Sequence, residues 1–271
     1  MPRSPAAEIV AGVEARLAAA GCIAAAEEAG ELLAAVGPRA AALEEAVRRR
    51  EAGEPLAWIT GLTRFCGHQV RVDPGVYVPR PQTELLAERA AALLAERAAA
   101  GCAGCTGAAR AVDLCTGAGA VALHCQRSVP GAAVVGVDVD RRAVACARAN
   151  GVTAVLGDLG SALGDECADV VTAVAPYVPT AAVAFLPADV RCYEPRAALE
   201  GGVDGLAVVR RVVAEAGRLL RPGGWLLVEL GGEQDALLAP ALTRQGFRDV
   251  APWEDEEGDL RGLAARLVRP A

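Results

Sequence analysis

The segment Ala111-Val112-Asp113-Leu114-Cys115-Thr116-Gly117-Ala118-Gly119-Ala120 restricts the fold more than any other stretch of the chain. An apolar run closes on an acid, passes through small residues and continues as Val121-Ala122-Leu123-His124-Cys125. This reads as a strand turning tightly into a helix. Such a turn leaves backbone N–H groups and a positive helix end at the carboxyl edge of a sheet. A side chain at Gly117 or Gly119 would obstruct a ligand or forbid the turn. About 20 residues on, Val134-Val135-Gly136-Val137-Asp138 reads as a second strand ending in a carboxylate, which can accept both ribose hydroxyl hydrogens. Together they make a site for an adenosine-bearing cofactor.

Strands and helices alternate from this point. Arg141–Asn150 reads as a helix, Thr153–Leu156 as a strand ending at Gly157-Asp158, and Asp169–Val174 as a fourth strand. A helix over Asp204–Leu220 is expected to stop at Arg221-Pro222-Gly223-Gly224, before a strand over Trp225–Leu230 and a helix over Asp235–Gln245. Phe247–Ala251 and Gly262–Val268 read as a closing antiparallel pair around the acidic loop Glu254–Asp259. The order predicts an α/β fold with a doubly wound, mostly parallel, Rossmann-like sheet of seven strands.

Ahead of it, residues Ala6 to Arg50 are rich in Ala, Leu and Glu. Ile9, Val13 and Leu17 fall at helical spacing, as do Leu43 and Val47, with Gly21, Gly30 and Gly37-Pro38 as punctuation. A small helical domain is expected, covering a flank of the sheet or gripping a macromolecular substrate. Gln69–Val72, the turn Asp73-Pro74-Gly75 and Val76–Val78 read as a β-hairpin, and Pro81–Glu84 opens a helix that runs to Ala100. The division is therefore 1–66 helical, 67–82 hairpin linker, and 83–271 the cofactor-binding domain.

Gly117-Ala118-Gly119-Ala120-Val121-Ala122 also satisfies the G-x-G-x-x-(G/A) pattern of dinucleotide sites, a weak match alone. Three features favour S-adenosylmethionine. Asp113 lies just ahead of the glycines, where it can meet an ammonium group. Asp158 follows the third strand, where it can bond an adenine amino group. The domain also closes with an antiparallel pair instead of repeating its unit. The plain structural readings are a turn acid for Asp138 and a helix N-cap for Asp158.

With 34 acidic and 27 basic residues and a net charge of -7, the balance argues against a phosphate-tracking surface as the main binding mode, and no direct nucleic-acid binding is expected. Every basic residue is Arg, a mark of genomic base composition. Arg48-Arg49-Arg50 reads as a solvated helix end. Nine scattered Cys fit buried small hydrophobes in a reducing compartment. Cys102-Ala103-Gly104-Cys105 has no second pair, and with two His in the chain no metal site is expected. No apolar run reaches membrane-spanning length and no signal peptide is visible, so a cytoplasmic protein is expected. A monomer is expected as well, because a large partner would have to reach the open strand ends.

Five segments together carry a more specific resemblance: Gly53-Glu54-Pro55, Val78-Pro79-Arg80-Pro81-Gln82-Thr83-Glu84, Asp113 to Gly119, Val174-Ala175-Pro176-Tyr177-Val178-Pro179, and Glu194-Pro195-Arg196-Ala197-Ala198-Leu199. Through them nearly the whole chain resembles the peptide chain release factor N(5)-glutamine methyltransferases. The resemblance implies methyl transfer from S-adenosylmethionine to a glutamine side-chain amide in the Gly-Gly-Gln loop of a release factor, the protein partner. It implies that Cys115, Thr116, Gly117, Ala118 and Gly119 wrap the methionine end, Asp138 holds the ribose, and Asp158 and Leu159 border the adenine. Val174, Ala175, Pro176 and Tyr177 would form the acceptor pocket, with Phe65 closing it. Glu194 and Arg196 read as a structural ion pair over the site.

Two departures from the family pattern matter. Cys115 stands where Gly is usual, and Val174 stands where the family's Asn-Pro-Pro-Tyr motif begins with Asn. In that motif the Asn side chain and the next carbonyl accept the glutamine N–H bonds, and the tyrosine lies against the amide. Val174 removes one of these contacts, which implies a weakened enzyme. Two alternatives stand beside it: a methyltransferase of the same fold with another acceptor, and a non-catalytic protein that docks on a release factor.

Overall fold

The computed structural model describes residues 5–37, 40–100 and 108–268. Cys102 and Cys105 lie outside them. Helices α1 (Pro5–Ala19), α2 (Ala25–Val36) and α3 (Ala40–Glu51) pack with the short α4 (Leu56–Thr60). Their apolar stripes meet in a core of their own, with Val13, Leu17, Ala29, Leu32, Leu43 and Val47 buried. Ile9, at the expected spacing, stays at the rim, and Gly30 lies inside α2 instead of ending a helix. The arginine run is not simply solvated. Arg50 pairs with Glu28 at 2.6 Å, both side chains largely buried, and Arg49 pairs with Glu54 at 2.5 Å. Arg48, joined to Glu45 at 2.7 Å, is the member that stays exposed.

A hairpin follows, one element earlier than its sequence suggests. Strand β1 (Leu62–Phe65) pairs antiparallel with β2 (His68–Arg71), and the turn is Cys66-Gly67. Both turn residues have positive φ. Val76–Val78 is not a strand. Asp73-Pro74-Gly75 does form a turn, closed by Val76 N–H donating to the Asp73 carbonyl at 3.0 Å. The indole N–H of Trp58 donates to the Val76 carbonyl at 2.9 Å, so this segment serves the α4 contact. Asn150 fastens the hairpin to the sheet domain. Its Oδ1 accepts Arg71 N–H at 2.8 Å, and its Nδ2 donates to the Arg71 and Ala118 carbonyls at 2.9 and 2.8 Å.

Helix α5 (Glu84–Ala100) leads into the alternating part: β3 (Arg110–Leu114), α6 (Ala120–Ser128), β4 (Ala133–Asp138), α7 (Arg141–Ala149), β5 (Thr153–Leu156) and β6 (Ala168–Ala173). Then come α8 (Ala188–Tyr193), α9 (Ala207–Leu219), β7 (Leu220–Glu229), α10 (Gln234–Arg244), β8 (Phe247–Glu254) and β9 (Leu260–Leu267). The seven-stranded order is β5-β4-β3-β6-β7-β9-β8. Only β9 runs against its neighbours. Arg221-Pro222-Gly223-Gly224 does not separate helix from strand. It belongs to β7 as an irregularity, with Leu220 paired to Ala168 and the register shifting before Trp225.

Alternation along the strands feeds two cores. Val112, Val171, Leu226 and Val228 pack on the side of α9 and α10, while Ala111, Val170 and Leu227 join α5, α6 and α7. Every residue of β6 is buried, as a central parallel strand covered on both faces requires. Strand order reverses beside β3, between β4 and β6, so a crevice opens at their carboxyl ends.

Because the helical core is separate from the two sheet cores, Leu32→Ala should cost about 3 kcal/mol within α1–α3. Hydrogen exchange should rise across residues 5–51 and stay at its wild-type level in β3, β4 and β6. Equal loss of protection in the sheet would contradict separate cores.

Candidate active site

The crevice holds a cavity of about 390 Å³. Its floor is a polar cluster dictated by register. Asp113 on β3 lies beside Thr172 on β6 and Gly136 on β4. Thr172 Oγ1 donates to Asp113 Oδ1 at 2.7 Å, and Thr116 Oγ1 donates to Oδ2 at 2.6 Å. Gly136 leaves the space: a Cβ there would stand 2.7 Å from Thr116 Oγ1. Burial pushes the Asp113 carboxyl up to about 6, against the pull of the two hydroxyls. With both hydroxyls in place, a carboxylate still has lone pairs for a cationic guest.

Asp138 ends β4 and takes two backbone donors, Gly117 N–H on Oδ2 and Asp140 N–H on Oδ1, each at 2.9 Å. Burial raises its pKa and these donors oppose the rise. The turn is therefore less bare than its sequence suggests. Thr116 N–H goes to the Val137 carbonyl at 3.0 Å and Gly119 N–H to the Thr116 carbonyl at 2.7 Å. Cys115 and Gly117 both have positive φ, 56° and 55°, which is why glycine suits position 115; Cys there carries left-handed strain of about 1–2 kcal/mol. Burial pushes the Cys115 thiol strongly up, so it stays neutral.

The expected residues Asp113, Cys115, Thr116, Gly117, Ala118, Asp138, Asp158, Leu159, Val174 and Pro176 all line the cavity, as does Phe65. Gly119, Ala175 and Tyr177 lie outside the lining. A Cβ on Gly117 would meet nothing within 4 Å, so open space lies above it. One on Gly119 would press on Ala147 and Val152 at 3.0–3.2 Å, so Gly119 serves the α6–α7 contact. Asp158 is followed by no helix and instead pairs with Arg211 at 2.7 Å, both exposed.

The loop after β6 is braced from several directions. Gln234 Nε2 donates to the Tyr177 carbonyl at 2.8 Å. A Cβ on Gly205 would stand 2.2 Å from that same carbonyl, and one on Gly201 2.5 Å from the Pro176 carbonyl. Tyr177 OH donates to Glu229 Oε1 at 2.9 Å. The expected Glu194–Arg196 pair does not form. Glu194, 1% exposed at its side chain, pairs with Arg80, whose guanidinium also lies 5.0 Å from the Tyr77 ring centroid. Arg196 points outward to Glu200 at 2.5 Å. Arg196 opens a short 3₁₀ helix (Arg196–Ala198) and finds Glu200 four residues on, while Glu194 is buried. Sequence reasoning missed Glu229, Arg211 and Gln234. For Glu229 the signal was present, an acid closing the apolar run Trp225–Val228, the same signal that marks Asp113 and Asp138.

No protein-family model matches the chain. A release factor glutamine methyltransferase of Geobacter sulfurreducens is 38% identical over 220 residues, which are 79% of this chain and 74% of that protein. A 4-amino-L-phenylalanine/4-methylamino-L-phenylalanine methyltransferase of Streptomyces pristinaespiralis is 37% identical over 206 residues, 74% of this chain and 67% of the relative. Among solved structures, the hMettl16 catalytic domain in complex with an RNA hairpin superposes with a TM-score of 0.56 at 16% identity, over 87% of this chain and 84% of that one. That likeness concerns the fold alone. With the sheet order and the crevice described above, the sequence identities establish that the chain belongs to the release factor glutamine methyltransferase family.

Proposed function

We propose that the protein transfers a methyl group from S-adenosylmethionine to the side-chain amide nitrogen of a glutamine in the Gly-Gly-Gln loop of a peptide chain release factor. The observation that carries the cofactor reading is the charge of the cavity wall. Asp113, Asp138, Asp140 and Asp158 line it against Arg211, which is already paired with Asp158. A cationic guest suits that wall and a diphosphate does not. The Gly117 N–H that a diphosphate would need is already donated to Asp138.

In this reading Asp138 would hold the ribose, Asp158 and Leu159 would border the adenine, and Asp113 would face the ammonium group. Cys115, Thr116, Gly117 and Ala118 would wrap the methionine end, with Gly119 acting through the helix packing behind them. The bound cofactor supplies the methyl group and, as a sulfonium, the leaving group.

The acceptor side falls to Val174, Ala175, Pro176 and Tyr177. An amide nitrogen is a poor nucleophile because its lone pair is delocalised into the carbonyl. The protein must orient that nitrogen and accept its hydrogens as positive charge develops. A backbone carbonyl at Ala175 can serve; the Val174 side chain cannot. Losing one such contact costs about 2.7–4 kcal/mol of transition-state stabilisation, or about 100- to 1000-fold in rate. Turnover is therefore weakened.

The division 1–66, 67–82 and 83–271 gives the helices to recognition of the protein substrate. The protein works as a cytoplasmic monomer without binding nucleic acid directly. Among the described residues no helix is long and apolar enough to cross a membrane. A second reading, the same fold with another acceptor, is favoured by Val174 itself; the Streptomyces pristinaespiralis relative, by its name, methylates 4-amino-L-phenylalanine and 4-methylamino-L-phenylalanine.

Two outcomes test these statements. Cation binding favours ionised Asp113, whose carboxyl is otherwise held up to about 6. Calorimetry should therefore show S-adenosylmethionine affinity falling as pH drops through about 6, with Asp113→Asn flattening the profile. A flat wild-type profile would remove Asp113 from the binding role. On a release factor, Val174→Asn should raise kcat about 100-fold; no gain would sink the weakened-enzyme reading and leave another acceptor.

A further inference from the structure

Glu229 has no place in the reading so far. It closes β7 after Leu226, Leu227 and Val228 and is 1% exposed. A carboxylate so deeply buried is costly unless its oxygens find donors. Both do. Thr83 Oγ1 donates to Oε2 at 2.5 Å and Tyr177 OH donates to Oε1 at 2.9 Å. Neither donor is local; they lie 146 and 52 residues away in the sequence.

The two donors come from the two segments that face each other across the acceptor side. Thr83 belongs to Pro79-Arg80-Pro81-Gln82-Thr83-Glu84 and lines the cavity. Tyr177 ends the motif whose Val174 and Pro176 line it. The Tyr177 ring lies along Gly231, where a Cβ would stand 3.6 Å from Cε2, so the hydroxyl is steered toward Glu229. The Tyr177 carbonyl is already held by Gln234. One carboxylate thus links the two walls, and a carboxylate is the group that can accept a hydroxyl hydrogen on each oxygen. An amide offers one accepting oxygen and turns a donor toward the second hydroxyl.

We propose that Glu229 is a positioning residue for methyl transfer: by accepting the hydroxyl hydrogens of Thr83 and Tyr177 it locks the acceptor motif against the Pro79–Glu84 segment. This rests on the glutamine methyltransferase reading. With Val at position 174, orientation of the acceptor depends on backbone groups of this loop, so its rigidity carries more of the alignment.

The test compares Glu229→Gln, Tyr177→Phe and the double variant with wild type. In Glu229→Gln, kcat on a release factor should fall about 10- to 100-fold while the calorimetric Kd for S-adenosylmethionine stays within about twofold. The double variant should lose no more kcat than the more damaged single variant, since both cut one link. Hydrogen exchange should rise at 175–180 and remain unchanged at 113–119. Full kcat in Glu229→Gln, additive losses, or a Kd that weakens in step with kcat would overturn the positioning role. A wild-type protein inactive on release factors overturns the acceptor reading instead; the exchange comparison needs no substrate and still decides whether Glu229 holds the loop.

Discussion

The crevice depends on carboxylates held by neutral donors at the carboxyl ends of parallel strands. Asp113 is buried between the hydroxyls of Thr116 and Thr172, and Asp138 is gripped by the N–H groups of Gly117 and Asp140. No arginine or histidine neutralises either in these contacts. Negative charge is thereby stored at the edge of a low-dielectric sheet, partly compensated by dipoles and able to respond to a cation. The same bonds shape the turn. Thr116 and Gly117 are placed by the groups that fill the floor, so the glycine loop and the charge beneath it form one unit.

The side of the crevice next to Pro79–Glu84 follows a different rule. Its two buried carboxylates, Glu194 and Glu229, each bridge segments far apart in the chain: Glu194 reaches Arg80, and Glu229 reaches Thr83 and Tyr177. Both bridges land on the Pro79–Glu84 segment, which joins the hairpin to α5. The loop after β6 is further pinned by close backbone approach at Gly201 and Gly205. The crevice thus has one wall made by the sheet and the other by a long-range ion pair and hydroxyl bonds.

Much of the sheet was legible because its signals are local. Apolar runs ending in Asp113 and Asp138 locate two strand ends, and Thr153–Leu156 has the same limits in sequence and structure. The hairpin was misplaced because Val70, Val72, Val76 and Val78 alternate as a strand pair would. Their burial comes instead from packing under α5 and around Trp58. Pro222 and Gly223-Gly224 resemble a helix stop, yet pairing of Leu220 with Ala168 extends β7 through them. Side-chain partners were the least legible. Spacing offered Arg196 to Glu194, but the three-dimensional partner is Arg80, 114 residues away. The cavity itself took in most of the residues that motif reasoning had named, while Gly119, Ala175 and Tyr177 lie outside its lining.

The function of the protein is decided by where the methyl group goes. The most direct measurement is mass spectrometry of a release factor after incubation with the purified protein and S-adenosylmethionine. The account predicts one added methyl group on the glutamine of the Gly-Gly-Gln peptide. A release factor left unmodified at that glutamine, under conditions where the cofactor binds, would contradict it.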